Sequence, residues 1–427
     1  MPPAPSATEH VLFFTLLQLA VILVAARVAG YGARLLGQPR AVGEMLAGML
    51  LGPSLFAKLA PDTFHWVFRS VDGAPISIMS QIGLIMLMFQ IGLEFDFSHL
   101  RERRSRYTVS LVTAAGIVLP FSLGLSFGFL SAPYLAGDIH PLGYALFVAV
   151  ALSITAVPIL GRIMLEFDLN RTRIGSITIS AAALNDAVGW TLLAVISAIV
   201  SSRFSVSGML VQIGWLLLYV LTSWFVVRQA LRFIVRRFDL SRDSMPQDLM
   251  AVLLVIVFTS AMLTSQLGIF AIFGGFMMGV LLHDQRELVE AWRNKVADLV
   301  TVFFLPIFFT YTGLRTDIGS LHAPELWAWC ALLLALAVAG KFGGCYAAAR
   351  LAGLGSHEAR CIGIMMNTRA LMELIVVNLG HDLGVIPPSV FTMLVIMAIA
   401  STVMTAPGLR AWLPGLGHSV PRRRRDA

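Results

Sequence analysis

Four charged side chains stand in stretches of sequence that are otherwise apolar. Asp186 lies in ISAAALNDAVGWTLL directly after Asn185, and Lys341 lies in LALAVAGKFGGCYAAA. Arg369 and Glu373 lie four apart, on one helix face, in IMMNTRALMELIVVN. A charge at the centre of a membrane helix costs ~2.5–3.5 kcal/mol on insertion scales, so each needs a reason to be there. The helix-face neighbours of Asp186 are Ala182, Ala183 and Trp190, which offer it no partner. A carboxyl group in that setting is expected to hold either a proton or a cation. One site with two mutually exclusive occupants is what exchange requires; the alternative is a structural acid locked in a fixed salt bridge. Lys341 is flanked by small residues that let a neighbouring helix come close. It is expected to neutralise a carboxylate when no cation is bound, or else to snorkel to an interface. Arg369 and Glu373 read as an internal pair that lets both charges enter the membrane. The sharper expectation is that Arg369 braces an ion site.

Oxygen ligands for a hard monovalent cation are expected from ALSITAVPILGRI. Pro158 removes a backbone donor and clashes with the preceding turn, which frees carbonyls near Ser153 and Thr155. Irregular backbone at membrane depth is tolerated only where it lines a cavity or is buried in protein; a simple proline kink is the alternative. The expected ion-binding set is therefore Asp186 and Thr155 as cation ligands, with Ser153 and Asn185 beside them. Asn367-Thr368 is the expected irregular point of the later helix, although no proline marks it. Cys330, Cys345 and Cys361 fit no metal spacing and read as small apolar fillers. Asp248, His283 and Asp284 fall near the ends of apolar windows and are given no role. No Walker loop, Rossmann fingerprint, HExxH or GxSxG pattern is present. Neither enzymatic chemistry, ATP-driven transport nor a cofactor is expected.

The elements that must hold these residues follow from composition. The 427 residues are 57% hydrophobic and 13% charged, whereas soluble domains carry about 25% charged residues. Mean hydropathy is +0.81. The chain is thus an all-α polytopic membrane protein. Apolar windows fall near 11–36, 41–60, 76–97, 108–131, 142–166, 174–201, 209–234, 248–265, 267–284, 297–318, 325–352, 359–381 and 387–412, giving about thirteen transmembrane helices. The first window lacks the basic start and small-residue cleavage pattern of a signal peptide. Of the 31 basic residues, all but six cluster at the ends of odd-numbered windows. Lys58, Arg69, Arg203 and Arg315 follow even-numbered ones, while Lys341 and Arg369 lie inside. By the positive-inside rule the N-terminus faces outside and the C-terminus the cytoplasm. The Arg422–Arg425 run reads as a stop-transfer and lipid-headgroup contact rather than a nucleic-acid signal.

Gly43, Gly48 and Leu51 match Gly274, Gly279 and Leu282 at a constant offset, and Gly92-Leu93 with Asp96 matches Gly313-Leu314 with Asp317 at a similar one. Both matches join window n to window n + 7. They predict two six-helix repeats, 11–201 and 248–412, joined by a linker helix at 209–234 and followed by a basic tail at 413–427. An odd separation inverts the second repeat in the membrane. Inverted repeats are the plan of secondary transporters, whose sites lie at broken helices near the midplane.

Four blocks, AVGEMLAGMLLGPS (41–54), the run from SITAVPILGRI to ISAAALND (153–186), FFLPIFFTYTGLRTD (303–317) and NTRALMELIVVN (367–378), resemble the monovalent cation:proton antiporter-2 family, especially its cation/proton exchanger branch. The resemblance implies a scaffold or dimerisation domain and a mobile core domain with two crossed discontinuous helices. It implies that Asp186 is the ion-binding aspartate, that Asn185 is its motif partner, and that Lys341 and Arg369 are core charges. It also implies a homodimer in a bacterial inner membrane; potassium-efflux members append a nucleotide-binding regulatory domain, which is not expected here after Arg425. Where the pattern has glycine after the arginine, this chain has Ala370. A single titratable carboxylate in Asn185-Asp186 leans towards one-for-one exchange. The expected function is antiport of Na⁺ or K⁺ against protons. The rival is an ion-coupled symporter of an organic solute on a similar fold, although polar side chains in windows 5, 6 and 12 are few for such a cavity. A membrane sensor or a channel is disfavoured, for want of a signalling domain and of a repeated pore loop.

Overall fold

The computed structural model describes residues 7–94, 103–155, 157–169, 172–201, 206–238, 245–267, 271–369 and 371–416, with no strand among them. Asp96, Ala370, Arg203 and the Arg422–Arg425 run lie outside the described residues. Among the described residues, each apolar window contains a helix or two half-helices. In chain order these are α1 (Ala7–Leu35), α2 (Arg40–Leu51), α3 (Ala74–Leu93), α4 (Arg103–Leu135), α5 (Pro141–Ser153) and α6 (Val157–Glu166). Next come α7 (Arg173–Ser201), α8 (Val206–Thr222), α9 (Arg228–Val235), α10 (Gln247–Gln266), α11 (Ala271–Leu282) and α12 (Leu305–Leu314). The last are α13 (Pro324–Val338), α14 (Gly344–Leu351), α15 (Ser356–Met366), α16 (Leu371–Asp382) and α17 (Pro388–Trp412). Among the described residues, 10 helical stretches are long and apolar enough to cross a membrane. The pairs α5–α6 and α15–α16 are each made of halves of 10 to 13 residues, too short to cross alone.

The chain forms two compact units. The first comprises Met1–Ala26, Ala47–Asp96 and Ala194–Leu314; the second comprises Arg27–Leu46, Phe97–Leu193 and Arg315–Ala427. Glycine sets the closest helix crossings of the first unit. A Cβ on Gly48 would lie 2.3 Å from the Phe309 carbonyl oxygen and one on Gly313 2.0 Å from that of Gly48, so α2 meets α12 backbone to backbone. Likewise a Cβ on Gly92 would lie 2.4 Å from the Phe276 oxygen and one on Gly279 2.2 Å from the Phe89 oxygen, which joins α3 to α11. Under the offsets read from the sequence, the Gly48–Gly313 crossing turns into the Gly279–Gly92 crossing. The same holds for two contacts that lie one in each unit. Gly43 abuts the Ala29 oxygen in the second unit, and Gly274 abuts the Ser260 oxygen in the first.

Two helices of the second unit carry internal prolines, Pro120 and Pro133 in α4 and Pro407 in α17. A proline cannot donate to the carbonyl four residues before it, so the oxygens of Gly116 and Val403 are free for other partners. That of Val403 accepts the Gln38 side-chain amide at 3.2 Å; that of Gly116 enters the site below. A π-helical turn, Ala339–Gly343, joins α13 to α14 and carries Lys341. Such turns are rare and concentrate at functional positions. Small residues let α4 approach it: a Cβ on Gly340 would lie 3.0 Å from the Pro120 Cα.

Candidate functional site

The first break follows Ser153. Ile154 is extended, with φ −78° and ψ 150°, and the helix resumes at Val157. Pro158 therefore falls in the first turn of α6, where a missing N–H costs nothing. Gly189 of α7 makes room for the break, because a Cβ there would lie 2.9 Å from Ile154 Cγ1. A helix that stops inside a membrane leaves orphan carbonyls and a partial negative charge at its C-terminus, and in α5 the oxygens of Val150, Ala151 and Ser153 find partners. The Val150 oxygen accepts the Ile154 N–H at 3.2 Å and the Ser153 hydroxyl at 3.0 Å. The Ala151 oxygen accepts Arg369 Nη1 at 3.1 Å, and the Ser153 oxygen accepts Lys341 Nζ. Two buried cations thus cap the negative end of one half-helix. Ser153 contributes its carbonyl to Lys341, while its hydroxyl turns back onto its own helix.

Lys341 also donates to the Gly116 oxygen at 2.8 Å and to Asn185 Oδ1 at 3.3 Å, which uses all three ammonium hydrogens. Gly116 accepts the Asn185 Nδ2 as well, at 3.3 Å. Gly116 is absent from the sequence-predicted set. A main-chain acceptor has no side-chain signature, and the one available signal was Pro120 four residues on. Glycine is needed there too, since a Cβ would lie 2.9 Å from Cys345 Sγ. Asn185 Oδ1 further accepts the Thr155 hydroxyl at 3.3 Å, and that hydroxyl lies 3.4 Å from the Met366 oxygen. Met366 ends α15, so Thr155 ties the first break to the second.

Beside this network Asp186 is buried, 2% exposed, and its Oδ1 accepts no hydrogen bond. Lys341 acts on it through space, and no salt bridge joins the two. The arrangement is an oxygen-rich break, an ammonium anchored on carbonyls, and one carboxyl oxygen left open.

The second break closes on itself. The N–H of Asn367 bonds the Gly363 oxygen at 3.0 Å and that of Thr368 the Met365 oxygen at 3.1 Å. From α17, Thr405 pairs with the Thr368 hydroxyl at 3.1 Å, and the Thr402 hydroxyl donates to the Arg369 carbonyl. Arg369 spans both breaks: beyond Ala151 it donates Nη2 to the Ala337 oxygen at 3.1 Å. Its nitrogen lies 3.7 Å from Glu373 Oε2, too far for a hydrogen bond. Asn367, Thr368, Arg369 and Glu373 are all buried. Among the described residues no three His, Cys, Asp or Glu side chains gather as a metal cluster.

Two interrupted helices joined at their breaks beside a buried carboxyl group, in an all-helical membrane fold, define the class as membrane transporters. The chain belongs to the sodium/hydrogen exchanger family. Its residues 20–413 match the family described as "Sodium/hydrogen exchanger, transmembrane". It is 37% identical over 412 residues to the Na(+)/H(+) antiporter NhaS4 of Synechocystis sp., covering 96% of this chain and 99% of that one. It is 34% identical to Cation/H(+) antiporter 17 of Arabidopsis thaliana, covering 95% of this chain and 49% of that protein, about half the plant relative's length. The solved sodium proton antiporter MjNhaP1 from Methanocaldococcus jannaschii superposes with a TM-score of 0.65 at 16% identity, over 94% of this chain and all of that one, and shares the fold.

Proposed function

We propose that the protein is a secondary antiporter exchanging Na⁺ or K⁺ for protons, with Asp186 holding the two in turn. The observation that carries this reading is the buried Asp186 oxygen that accepts no hydrogen bond, beside a helix break rich in oxygen. Relatives named for Na⁺/H⁺ and Na⁺/H⁺-K⁺ antiport support it. As a cation arrives, Asp186 gives up its proton and the carboxylate ligates the ion, with Thr155 and the Asn185 amide as neighbouring oxygen donors. Lys341 and Arg369 neutralise the end of α5, and Ser153 presents the carbonyl that holds Lys341. Pro158 and Asn367-Thr368 keep the two breaks open. Alternating access comes from movement of the unit that carries these residues. Thirteen crossings in two inverted repeats suit the matched glycine contacts and the paired breaks. The distribution of basic residues supports an N-terminus outside and a C-terminus in the cytoplasm, and the family resemblance supports a homodimer contacting lipid in a bacterial inner membrane. The test is exchange in proteoliposomes loaded with Na⁺ or K⁺ under an imposed pH gradient. Asp186→Asn is expected to abolish it, and cation-dependent proton flux that survives the substitution overturns the reading.

A further inference from the structure

The four buried charges near the two helix breaks, Asp186, Lys341, Arg369 and Glu373, are unequally satisfied. Lys341 has three oxygen acceptors and Arg369 has two carbonyls. Glu373 is 1% exposed, and neither of its carboxylate oxygens accepts a hydrogen bond. Asp284 and Asp317, by contrast, are bonded as a lasting charge demands. Asp284 accepts from Arg228, Arg232 and Gln285, and Asp317 accepts the Gly319 N–H at 2.8 Å. Hydrogen bonds to the charged form are what hold a carboxylate ionised, and Glu373 lacks them as Asp186 Oδ1 does. Its ionised form still has support from the Arg369 charge at 3.7 Å and from its place in the first turn of α16. Both protonation states are therefore accessible to it. The charged groups that act on it are Arg369 from its own segment and Lys341 from the α13–α14 turn; Lys341 in turn lies within reach of Cys345 and of Asp186 from α7. From α17, Ser401 brings a buried hydroxyl without a partner, next to the Thr402 that holds the Arg369 carbonyl.

We propose that Glu373 is a second proton-carrying carboxylate of the exchange cycle, so that two protons cross for each cation. The proposal rests on the antiport reading at Asp186. With both carboxyl groups protonated, Lys341 and Arg369 leave two positive charges unbalanced. With a cation on Asp186 and Glu373 ionised, only one is left. The cycle then moves net charge and responds to membrane potential. With glutamine in place of Glu373 the two loaded states carry equal charge, and exchange becomes electroneutral.

Two measurements test this. One counts protons released to a pH indicator when Na⁺ or K⁺ is added to the purified protein in weakly buffered detergent. The other follows exchange in proteoliposomes under an imposed membrane potential. The wild-type protein is expected to release two protons per bound cation and to change rate several-fold with potential. Glu373→Gln is expected to release one proton and to lose the response to potential while still exchanging. Wild-type release of no more than one proton at any pH overturns the proposal, as does potential-dependent exchange in Glu373→Gln. If that variant fails to fold, the wild-type proton count decides alone. Exchange of one proton per cation sinks only the role of Glu373, whereas the absence of any cation-driven proton release removes the Asp186 reading as well.

Discussion

Lys341 and Arg369 do for α5 what solvent does for the end of a surface helix. Each donates to a main-chain carbonyl at the end of α5, so removing either charge exposes the end of a half-helix, and for Arg369 it also removes the ion pair with Glu373. A hydrogen bond from a charged donor contributes about 1.5–3 kcal/mol, and Lys341 makes three. Lys341→Met is therefore expected to lower the melting temperature far more than Thr155→Val. Lys341→Arg is not expected to restore exchange, because a flat guanidinium does not fit a cradle shaped for a compact ammonium. Pro120→Ala supplies an N–H that competes for the Gly116 oxygen. It is expected to cut exchange several-fold while shifting the melting temperature little, and parallel flux and thermal-unfolding measurements check both. At this scale the side-chain chemistry was legible: Asp186, Asn185, Thr155, Lys341 and Arg369 announce themselves as polar residues in apolar surroundings. The carbonyls of Gly116, Ala151 and Ala337 were not, because every residue has one and only the fold selects which are used.

Among the elements, the first break has a local cause in Pro158, which the sequence displays. The second has no proline. Its ends are closed by the N–H groups of Asn367 and Thr368 and by the Thr402 hydroxyl on the Arg369 carbonyl. A break held by a neighbouring helix leaves little trace in local propensity, and it was anticipated only as the counterpart of the first. The glycine crossings were legible as spacing but not as contacts. Gly313→Ala and Gly279→Ala would each drive a Cβ to within 2.2 Å of a carbonyl oxygen. Overpacking of this kind costs about 1–3 kcal/mol or more, whereas Gly214→Ala, with open space around its Cβ, is expected to be nearly neutral in thermal unfolding. Beyond the end of α11, partial burial pushes the Asp284 carboxyl up, but the Gln285 amide and the Arg232 and Arg228 guanidiniums outweigh it and hold the group below its ordinary value. A carboxyl lowered by folding stabilises above its unfolded pKa of about 3.9, and that contribution is lost as pH falls through the lower, folded value. Wild type and Asp284→Asn should then converge in stability in strong acid. At neutral pH the gap should be small, since the pair is partly solvated.

For the whole molecule, composition and apolar periodicity were enough to give an all-helical membrane protein, because the bilayer admits few other solutions. Which helices share a unit was not legible, since those contacts join residues hundreds of positions apart. Proton and cation competing for one carboxyl predicts that apparent cation affinity falls as the medium becomes more acidic, which flux titrations at several pH values will read. The proposed orientation predicts that cysteine at Arg293 is labelled by a membrane-impermeant reagent only from the cytoplasmic side and cysteine at His322 only from outside. Cys330, Cys345 and Cys361, all buried, should stay largely silent in that assay. The carbonyl sockets also bear on biosynthesis. Gly116, Ser153 and Asn185 leave the ribosome before Lys341, and Ala151 and Ala337 leave before Arg369. Each buried cation is thus translated after every acceptor it will need, and a nascent chain cut short just after α13 would hold finished sockets awaiting their plugs.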